Sequence, residues 1–414
     1  MIPDQQCQEI LLIRWQKDNM KEIQLPKDWK WEKLGEVCEF SQGIQVDVHK
    51  QSLEKINGQV RFLRIIDFTQ EDEPARYIEF PGERYFLRKD DIAMVRYGTV
   101  GFVCTGKEGV IANNLFKIIP NPSLDKNYLI NFLNSYLFKG KLKTKGATMQ
   151  ALSFGMINPI LVPIPPKPTQ QAIVSKIEEL FSELDKGIEN LRIAQQQLKT
   201  YRQAVLKWAF EGKLTNENVN AGELPKVWKW VKLGDVAKKK SIKALPSDYP
   251  DAKFIGMDCI EPHTLKPFFL YDFKEFKSAG NYFKTNQVLY GRMRPYLNKV
   301  YRAEFDGACS GEFIILDCGD IYNPDLLKYI LHSRGFVSFA NSITTGDRPR
   351  ISYEEISDYE IPLPPIEEQQ NIVQEIESRL SVADKMEESI NQSLQQTEAL
   401  RQSILKKAFE GRLI

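Results

Sequence analysis

The sequence has few of the residues that disulfide frameworks, zinc sites and membrane spans require. Its 414 residues include three histidines and six cysteines, and no two cysteines form a Cys-x-x-Cys pair. This scarcity argues against a disulfide framework or a structural zinc site and fits a reducing compartment. No run approaches the ~18 apolar residues of a membrane span, and the apolar run at residues 10–13 is too short for a signal peptide. These absences predict a soluble, cytoplasmic protein.

Catalytic signatures are also missing. The histidines, His49, His263 and His332, fall in no metal-ligand spacing, and isolated histidines of this kind are usually structural residues. There is no phosphate-binding Gly-Lys-Ser/Thr loop, and the Gly-Thr-Val-Gly run at residues 98–101 is too short for a dinucleotide fingerprint. The Asn/Asp-Pro-Pro-Tyr/Phe tetrad of adenine methyltransferases is absent as well. We therefore expect a non-catalytic chain that holds no cofactor and no metal.

Neither sign of charge dominates. The chain has 56 Lys and Arg against 55 Asp and Glu, for a net charge of +1. A nucleic-acid-binding protein usually carries a clear basic excess, so the total alone does not indicate one. Basic residues nevertheless cluster at residues 139–145 and 238–243, and arginines are frequent between residues 292 and 350. Any one such cluster would ordinarily be a solvated loop.

The most informative feature that is present is an internal repeat. Residues 163–214 align with residues 362–413 without a gap, at an offset of 199, and 24 of the 52 positions are identical. The same offset places the Leu-Pro-Lys-x-Trp-Lys-Trp run that starts at Leu25 on the run that starts at Leu224. The segments between, residues 38–160 and 237–360, have diverged almost completely. Two nearly identical repeated segments enclosing two different variable segments indicate that one structural plan recognises two different targets.

The repeated segments are predicted to be long helices. Residues 169–210 contain no proline and one glycine, prolines precede them, and Gly212 follows, as expected at a helix start and end. Both copies carry an apolar stripe at heptad spacing. The first stripe comprises Ile173, Ile177, Leu180, Leu184, Leu191, Ala194, Leu198, Tyr201, Val205 and Trp208, and the second comprises Val373, Ile376, Leu380, Ala383, Ile390, Leu394, Leu400 and Ile404.

Packing the two helices against each other would bury both stripes. About 42 residues at ~1.5 Å each make a rod of roughly 60 Å. Antiparallel packing would turn the tandem repeat into an approximate two-fold axis, with the variable segments at opposite ends of the rod. A coiled coil that merely joins or dimerises domains explains the stripe equally well. It does not explain the repeated Trp-Lys-Trp run.

The variable segments have mixed patterns. β-prone runs at residues 60–66, 91–96 and 115–119 are followed by a short amphipathic helix at residues 127–139. The second segment repeats this order, with strands expected at residues 253–259, 287–290 and 313–316 and a helix at residues 324–332. The predicted fold class is α+β, with two globular domains separated by two long antiparallel helices. The predicted boundaries are residues 1–162 with an N-terminal extension at 1–24, helix 163–215, residues 216–361 and helix 362–414.

Three of these features together resemble a known family. They are the Trp-x-Trp-x-x-Leu-Gly opening at Trp29, the strand ends Arg-Tyr-Gly at Arg96 and Arg-Met-Arg at Arg292, and the Pro-rich start of a helix with Gln-Gln-x-Ile at Gln170 and Gln369. Together they are similar to the specificity subunit of type I restriction-modification systems, and the resemblance covers residues 25–414. It implies two target-recognition domains, each reading one half of a bipartite DNA site, and two helices that fix the gap between the halves.

The resemblance also implies partners. The helices would dock two modification (methyltransferase) subunits, and restriction (translocase/nuclease) subunits would complete the complex. These partners would supply S-adenosylmethionine, ATP and Mg²⁺ chemistry. The chain itself would bind double-stranded DNA and catalyse nothing.

Candidate DNA contacts follow from residue type. In the major groove Arg and Lys recognise guanine and Asn and Gln recognise adenine, whereas lysine clusters more often hold phosphates. In the first domain the candidates are Ser41, Gln42, Arg96, Tyr97, Thr99, Asn113 and Asn114, with Lys141, Lys143, Thr144 and Lys145 on the DNA backbone. In the second domain they are Arg292, Arg294, Tyr296, Asn298, Ser310, Glu312, Arg348 and Arg350, with Lys239, Lys240 and Lys243 on phosphates.

Two functions from other classes stay open. A coiled-coil adaptor would bind proteins through its variable segments. Behaviour of the chain towards DNA that does not depend on salt concentration would favour the adaptor. A stand-alone nuclease would need the carboxylates of Asp251 and Glu275, which belong to a Pro-Asp…Glu-x-Lys pattern like the metal-binding motif of restriction endonucleases. Short patterns of this kind arise often by chance, and the first variable segment has no equivalent.

Overall fold

The computed structural model describes residues 24–70, 72–142, 151–216, 219–220 and 223–414. These residues form two compact units. Unit 1 takes the described residues up to Asn190 together with Ser393–Ile414, and unit 2 takes Leu191–Gln392. Each unit contains one variable segment, and both long helices continue from one unit into the other. The predicted N-terminal extension lies outside the described residues, apart from Gln24.

Besides one two-stranded sheet, unit 1 contains two four-stranded sheets and several short helices. Its strands are β1 (Lys30–Lys33), β2 (Cys38–Gln42), β3 (Gln59–Leu63), β4 (Arg76–Glu79), β5 (Phe86–Leu87), β6 (Ile92–Val95), β7 (Val103–Cys104), β8 (Gly109–Ile111), β9 (Leu115–Pro120) and β10 (Leu161–Ile164). Its helices are α1 (Leu34–Val37), α2 (Ile65–Thr69), α3 (Lys126–Asn134), α4 (Tyr136–Lys139), α5 (Phe154–Ile157) and the first part of α6 (Lys167–Phe210). One sheet is antiparallel in the order β2-β9-β6-β7, and the other has the order β4-β3-β8-β5 with β3 and β8 parallel.

Unit 2 repeats this plan. Its strands are β11 (Lys229–Lys232), β12 (Lys238–Lys240), β13 (Ile242–Ala244), β14 (Lys253–Ile255), β15 (Tyr271–Asp272), β16 (Gly280–Phe283), β17 (Val288–Gly291), β18 (Val300–Arg302), β19 (Gly307–Cys309), β20 (Phe313–Asp317) and β21 (Glu360–Leu363). Its helices are the last part of α6, then α7 (Leu233–Val236), α8 (Pro324–His332), α9 (Arg334–Ser342), α10 (Tyr353–Ser357) and the first part of α11 (Ile366–Phe409). The sheet orders are β12-β20-β17-β18 and β13-β16-β19-β14-β15.

Each central sheet is buried on both faces, because its strands alternate between two cores. Along β6, Ile92 and Met94 point into a core shared with α3 and the long helices, while Ala93 and Val95 pack towards the second sheet. Strand β17 in unit 2 alternates in the same way. Such strands consist of nearly continuous apolar residues, which is why the sequence signalled them as short β-prone runs.

The predicted elements are confirmed in type, and several are shorter than expected. The strand expected at residues 60–66 ends at Leu63, because the Asp67 carboxylate accepts the Arg64 backbone N–H at 2.8 Å and starts α2. The helix expected at residues 127–139 breaks at Ser135 into α3 and α4. The strand expected at residues 253–259 ends at Ile255, and a 3₁₀ turn follows.

Helix α8 matches its predicted range of residues 324–332. Its boundaries follow from local chemistry. The Asn323 side chain accepts the backbone N–H groups of Asp325 and Leu326, and Pro324 occupies the first helical position. Both signals are visible in sequence, which explains the match.

The repeated sequence builds the same frame in both units. Strand β1 pairs antiparallel with β10 and sets Trp31 opposite Pro163, while β11 pairs with β21 and sets Trp230 opposite Pro362. Proline is tolerated here because each pair is a two-stranded sheet with free outer edges. The Pro-rich residues before each long helix, which the sequence marked as a helix start, therefore also pair with the strand that precedes each variable segment. This pairing brings the two ends of the segment together.

A buried glutamine joins the start of each long helix to the globular segment through hydrogen bonds. Gln170 accepts the backbone N–H of Asp125 at 2.7 Å, and Gln369 accepts that of Asn323 at 2.7 Å. Each side-chain amide also donates at 2.9 Å to a proline carbonyl five residues earlier. Both side chains are fully buried. The first glutamine of the repeated Gln-Gln pair is thus a structural residue that joins the helix to the globular segment.

Replacing Gln369 with leucine is expected to destabilise unit 2 by about 2–4 kcal/mol, because the Asn323 N–H and a proline carbonyl lose their partner inside the protein. Gln370, the next residue, is exposed, and Gln370→Leu is expected to change stability by less than about 0.5 kcal/mol. Urea unfolding of the full chain measures both. Equal midpoints for the two variants would contradict the structural role of Gln369.

In each unit the two long helices pack antiparallel, as predicted. In unit 1, the start of α6 shares a core with the end of α11, through Ile173 and Ile404 among others. In unit 2, the end of α6 shares a core with the start of α11, through Leu206 and Ile376 among others. Nearer the middle of the helices, Gln195 donates to Asn391 at 2.7 Å.

A matching ion pair sets the register of the helices in each unit. Arg202 bonds Asp384 at 2.6 Å in unit 2, and Arg401 bonds Asp185 in unit 1. Both members of the two pairs are related by the offset of 199. The aspartates are largely exposed, so these pairs contribute little to stability and mainly favour one register over its neighbours.

The predicted apolar stripe is only partly correct near the helix ends. Trp208 and Leu400 are 41% and 48% exposed, whereas Leu206 and Ala209 are buried. The helix ends pack on a globular segment and not on a second helix alone. Additional buried positions there therefore follow the face towards the sheet, and the stripe is interrupted at Trp208 and Leu400.

Candidate nucleic-acid interface

The candidate base-contacting residues of unit 1 meet at one edge of the central sheet. Strand β6 ends at Val95 opposite Leu115, where β9 begins, and β2 ends at Gln42 opposite Phe116. Since neighbouring strands in this sheet are antiparallel, the residues after β6, before β9 and at the end of β2 share that edge. The candidates brought together are Ser41, Gln42, Arg96, Tyr97, Asn113 and Asn114.

Arg96 is held by backbone groups. Its N–H donates to the Asn114 carbonyl at 2.9 Å, and its own carbonyl accepts the Leu152 N–H at 2.9 Å. The guanidinium donates to the carbonyls of Leu152 at 3.1 Å and Asn113 at 3.4 Å and lies 5.4 Å from the Tyr97 ring centroid. Arg96 therefore shapes the edge, while the exposed Tyr97 is free to contact a ligand.

Side-chain amides dominate the exposed edge of unit 1. Gln42 donates to the Asn113 carbonyl at 3.4 Å, and the Asn113 amide donates to the Gln45 side chain at 3.1 Å. Gln42 and Gln45 are exposed. Amides of this type recognise adenine in the major groove. Gln45 was not among the predicted contacts, although its place just after the β2 candidates in the same loop was a usable signal.

The other unit 1 candidates lie around this edge. Ser41 is half-buried and donates to the Arg84 carbonyl at 3.1 Å, and the Asn114 side-chain oxygen is buried without a hydrogen-bond partner in the described structure. Thr99 is exposed in the turn after β6, and Lys141 is exposed with its ammonium 5.6 Å from the Trp31 ring centroid. Lys143, Thr144 and Lys145 lie outside the described residues.

The same edge is built in unit 2 with the same backbone contacts. Arg292 follows β17, its N–H donates to the Glu312 carbonyl at 2.8 Å, and its carbonyl accepts the Ile351 N–H at 3.0 Å. Met293 forms a bridge with Arg350, as Tyr97 does with Ala151 in unit 1. The strand ends of the two units therefore share one construction and carry different side chains.

Charged side chains dominate the edge of unit 2. Arg350 donates to the Glu312 carboxylate from Nε at 3.1 and 3.2 Å and from Nη2 at 2.9 Å. The hydrogen bond from Arg350 holds the pKa of Glu312 below its usual range. The Nε atoms of Arg292 and Arg294 are buried without a partner in the described structure.

Arg294 has a left-handed backbone, with φ of 53°. Its N–H donates to the Pro349 carbonyl at 2.7 Å, which ties the turn after β17 to the segment before β21. A non-glycine residue in this conformation is strained by roughly 1 kcal/mol or more, and such residues gather at functional sites. Asn298, at the end of the same turn, is also left-handed, with φ of 48°.

Asn298 is the least suited of these candidates to contact DNA. Its side chain is 5% exposed and donates to the His332 carbonyl at 3.0 Å, which ties the turn to α8. This burial favours a structural role. By contrast, Tyr296 and Arg348 are exposed, and the half-buried Ser310 hydroxyl accepts the Glu312 N–H at 3.3 Å.

The predicted phosphate-contacting lysines of unit 2 are exposed. Lys239 and Lys240 lie on β12, which runs along the outer side of β20, and Lys243 lies on β13. Strand β12 ends towards the edge where β20 begins, because the two strands are antiparallel. Lys239 and Lys240 therefore lie on a strand that runs towards the edge carrying Arg292 and Glu312.

The described residues contain no metal-binding cluster. No group of three or more His, Cys, Asp or Glu residues that could hold a metal occurs among them, and Asp251 and Glu275 are exposed and belong to no such group. Burial lowers the pKa of His332 to about 4 and raises the pKa of Cys38 and Cys104 to about 12. None of the described helices is long and apolar enough to cross a membrane.

Comparison with known families decides the affiliation. Residues 26–192 and 225–396 each match the family model described as the type I restriction modification DNA specificity domain. The chain belongs to this family. The two matches start at the two Trp-Lys-Trp runs, so the internal repeat is a repeat of the family domain.

Several specificity subunits are similar to this family member along most of its length. It is 28% identical to the type I restriction enzyme EcoDI specificity subunit of Escherichia coli over 94% of this chain and 89% of the relative. It is 22% identical to the MjaVIII specificity subunit of Methanocaldococcus jannaschii over 98% of both chains. The similarity therefore includes both recognition domains and both long helices.

Solved structures have the same fold. A chain from a type I R-M system superposes with a TM-score of 0.73 at 19% identity, covering 94% of this chain and 100% of that one. The HsdS subunit from Thermoanaerobacter tengcongensis superposes with a TM-score of 0.59 at 19% identity, covering 95% and 99%. The predicted architecture of two recognition domains and two long helices is confirmed.

Proposed function

We propose that this family member is the DNA-recognition subunit of a type I restriction-modification complex. Each recognition domain reads one half of a bipartite DNA sequence, through the sheet edge described above. The chain has no catalytic role, and methylation and cleavage belong to partner subunits. Acting on DNA in the cell, it works in the cytoplasm.

One observation carries this proposal. Both units position the residues after β6 and β17 with the same backbone hydrogen bonds, yet unit 1 presents amides there and unit 2 presents arginines and a glutamate. A shared scaffold with different exposed polar groups is what two readers of different base sequences require. A protein-binding adaptor would instead favour an apolar centre at its contact surface.

The long helices are the proposed docking surface for two modification subunits. Their middle parts carry exposed apolar side chains, including Ile193, Val382 and Met386, each close to 50% exposed. In unit 1 a groove of about 490 Å³ also opens between α3 and α6, with Ile130 and Phe181 in its lining. A contiguous exposed apolar patch rimmed by polar residues is typical of a surface that a partner covers.

Restriction subunits would join the same complex. The partners would bind S-adenosylmethionine and, for cleavage, ATP and Mg²⁺. In this division of labour the chain contributes contacts to DNA and the spacing between them, and its helices hold the partners in place.

The test is DNA selection by the purified chain, alone and with its modification subunits. With its partners, the chain is expected to select a two-part sequence with a fixed gap, and its affinity is expected to fall steeply with salt, as phosphate contacts require. The isolated chain is expected to neither methylate nor cut DNA. Cutting by the chain alone that is lost in Asp251→Ala would establish the nuclease alternative. Binding that does not depend on salt or sequence would favour the adaptor.

A further inference from the structure

The ion pair between Arg350 and Glu312 is preassembled at the exposed edge of unit 2. The side chains are 46% and 30% exposed. The carboxylate accepts hydrogen bonds from Nε and Nη2 of Arg350, so it occupies one edge of the planar guanidinium group. Nη2 also donates to the Met293 sulfur at 3.9 Å, a weak acceptor that a stronger one can replace, and no hydrogen bond from Nη1 is made within the described residues.

The frame does not need this pair. Unit 1 makes the same turn, with the same backbone hydrogen bonds, and has Asn114 and Ala151 where unit 2 has Glu312 and Arg350. No ion pair can form between an asparagine and an alanine. Exposed ion pairs also contribute little to stability. The pair is therefore an addition to the recognition edge and not a requirement of the fold.

The free end of Arg350 matches one base in particular. Guanine presents two acceptors, O6 and N7, to the major groove, at a spacing that suits two parallel N–H donors of a guanidinium. Adenine presents a donor beside its acceptor and pairs better with an amide. A carboxylate that fixes the plane of the guanidinium reduces the side-chain freedom lost on binding. Unit 1 presents amides and no such ion pair at this edge.

We propose that Arg350, positioned by Glu312, contacts a guanine in the half-site bound by the second recognition domain. This inference rests on the proposed function, since it requires that unit 2 reads DNA bases. Arg350 makes the base contact. Glu312 is a positioning residue that acts through Arg350.

The experiment compares variants of the full chain, each in complex with its modification subunits, by selection from random-sequence DNA at one salt concentration. The wild-type complex is expected to select a guanine–cytosine pair at a defined position of one half-site. Arg350→Lys keeps the charge and loses the two-donor edge, so preference at that position is expected to fall by about 5- to 150-fold. Glu312→Gln is expected to cause a smaller loss, and none in the Arg350→Lys background. All other positions stay the same.

Asp272→Asn is the matched control, because it removes another exposed ion pair of unit 2, the one with Lys253 at 2.5 Å. It is expected to leave every position unchanged. Full retention of guanine preference by Arg350→Lys would overturn the inference. Loss of preference throughout both half-sites, with a lower melting temperature, would make the pair structural and overturn it too. If the wild-type complex selects no two-part sequence at all, the proposed function itself fails.

Discussion

Exchanging residues 38–160 for the matching segment of a relative is expected to change one half of the recognised DNA sequence and to leave the other half unchanged. The exchange removes the whole recognition edge of unit 1 and keeps β1, β10 and the long helices. Each mismatched base pair costs about 1–3 kcal/mol, so three changed positions lower affinity for the original site by roughly a hundredfold or more. Mapping the sites methylated by the complex that carries the exchanged chain measures the outcome.

The structure supports these boundaries. Leu34, just before the exchanged segment, donates its N–H to the carbonyl of Ile160, the last exchanged residue, at 2.9 Å. A new segment therefore enters and leaves where the two backbones already meet. The reciprocal exchange of residues 237–360 is the control and should change only the other half. An exchanged chain that folds normally but alters both halves together would refute two independent readers.

Lengthening both long helices by one turn is expected to lengthen the gap between the two half-sites by about two base pairs. Four inserted residues add about 6 Å to a helix, and stacked base pairs rise by about 3.4 Å each. Both half-sites should keep their sequence, because neither recognition edge is touched. Sites selected from random DNA by the modified complex give the new gap directly.

The insertions belong after Asn190 and after Gln392, where the chain passes between units. Asp185 and Asp384 lie near these points, but each forms an ion pair within its own unit, and an insertion beside it would disturb that pair. An insertion in one helix only is the control. It breaks the antiparallel register and is expected to reduce stability without producing a defined new gap. A folded, active double-insertion protein with the original gap would show that the helices do not set it.

The fold was largely predictable because its determinants are local or repeated. The offset of 199 identified the frame, heptad spacing and the absence of proline identified the helices, and the Asn323 cap with Pro324 located α8. Predicted elements were too long where a contact between near neighbours ends a strand, as Asp67 does by accepting the Arg64 N–H, or where a helix breaks, as at Ser135. Heptad spacing also misplaced Trp208, because the helix end packs on a sheet.

The proposed recognition edge was predictable in which residues meet there, but not in their contacts. Residue type and position at strand ends identified most of the groups that meet there, and they missed Gln45. The roles of Arg96 and Asn298 could not be predicted, since their partners, the carbonyls of Leu152 and His332, lie far along the chain. An arginine that looks free in sequence can be held by backbone carbonyls once the chain folds.

By itself, the sequence determined that the protein is a doubled domain on two long helices, because periodicity and internal identity are properties of the chain. Only the tertiary structure decided which glutamine of each Gln-Gln pair is buried in a structural role. It also decided which arginine keeps hydrogen-bond donors for a ligand. Burial and hydrogen bonding depend on residues that folding brings together from distant parts of the chain. Arg350 illustrates this, since its orientation is set by Glu312, 38 residues earlier, across an edge that exists only after the sheet has formed.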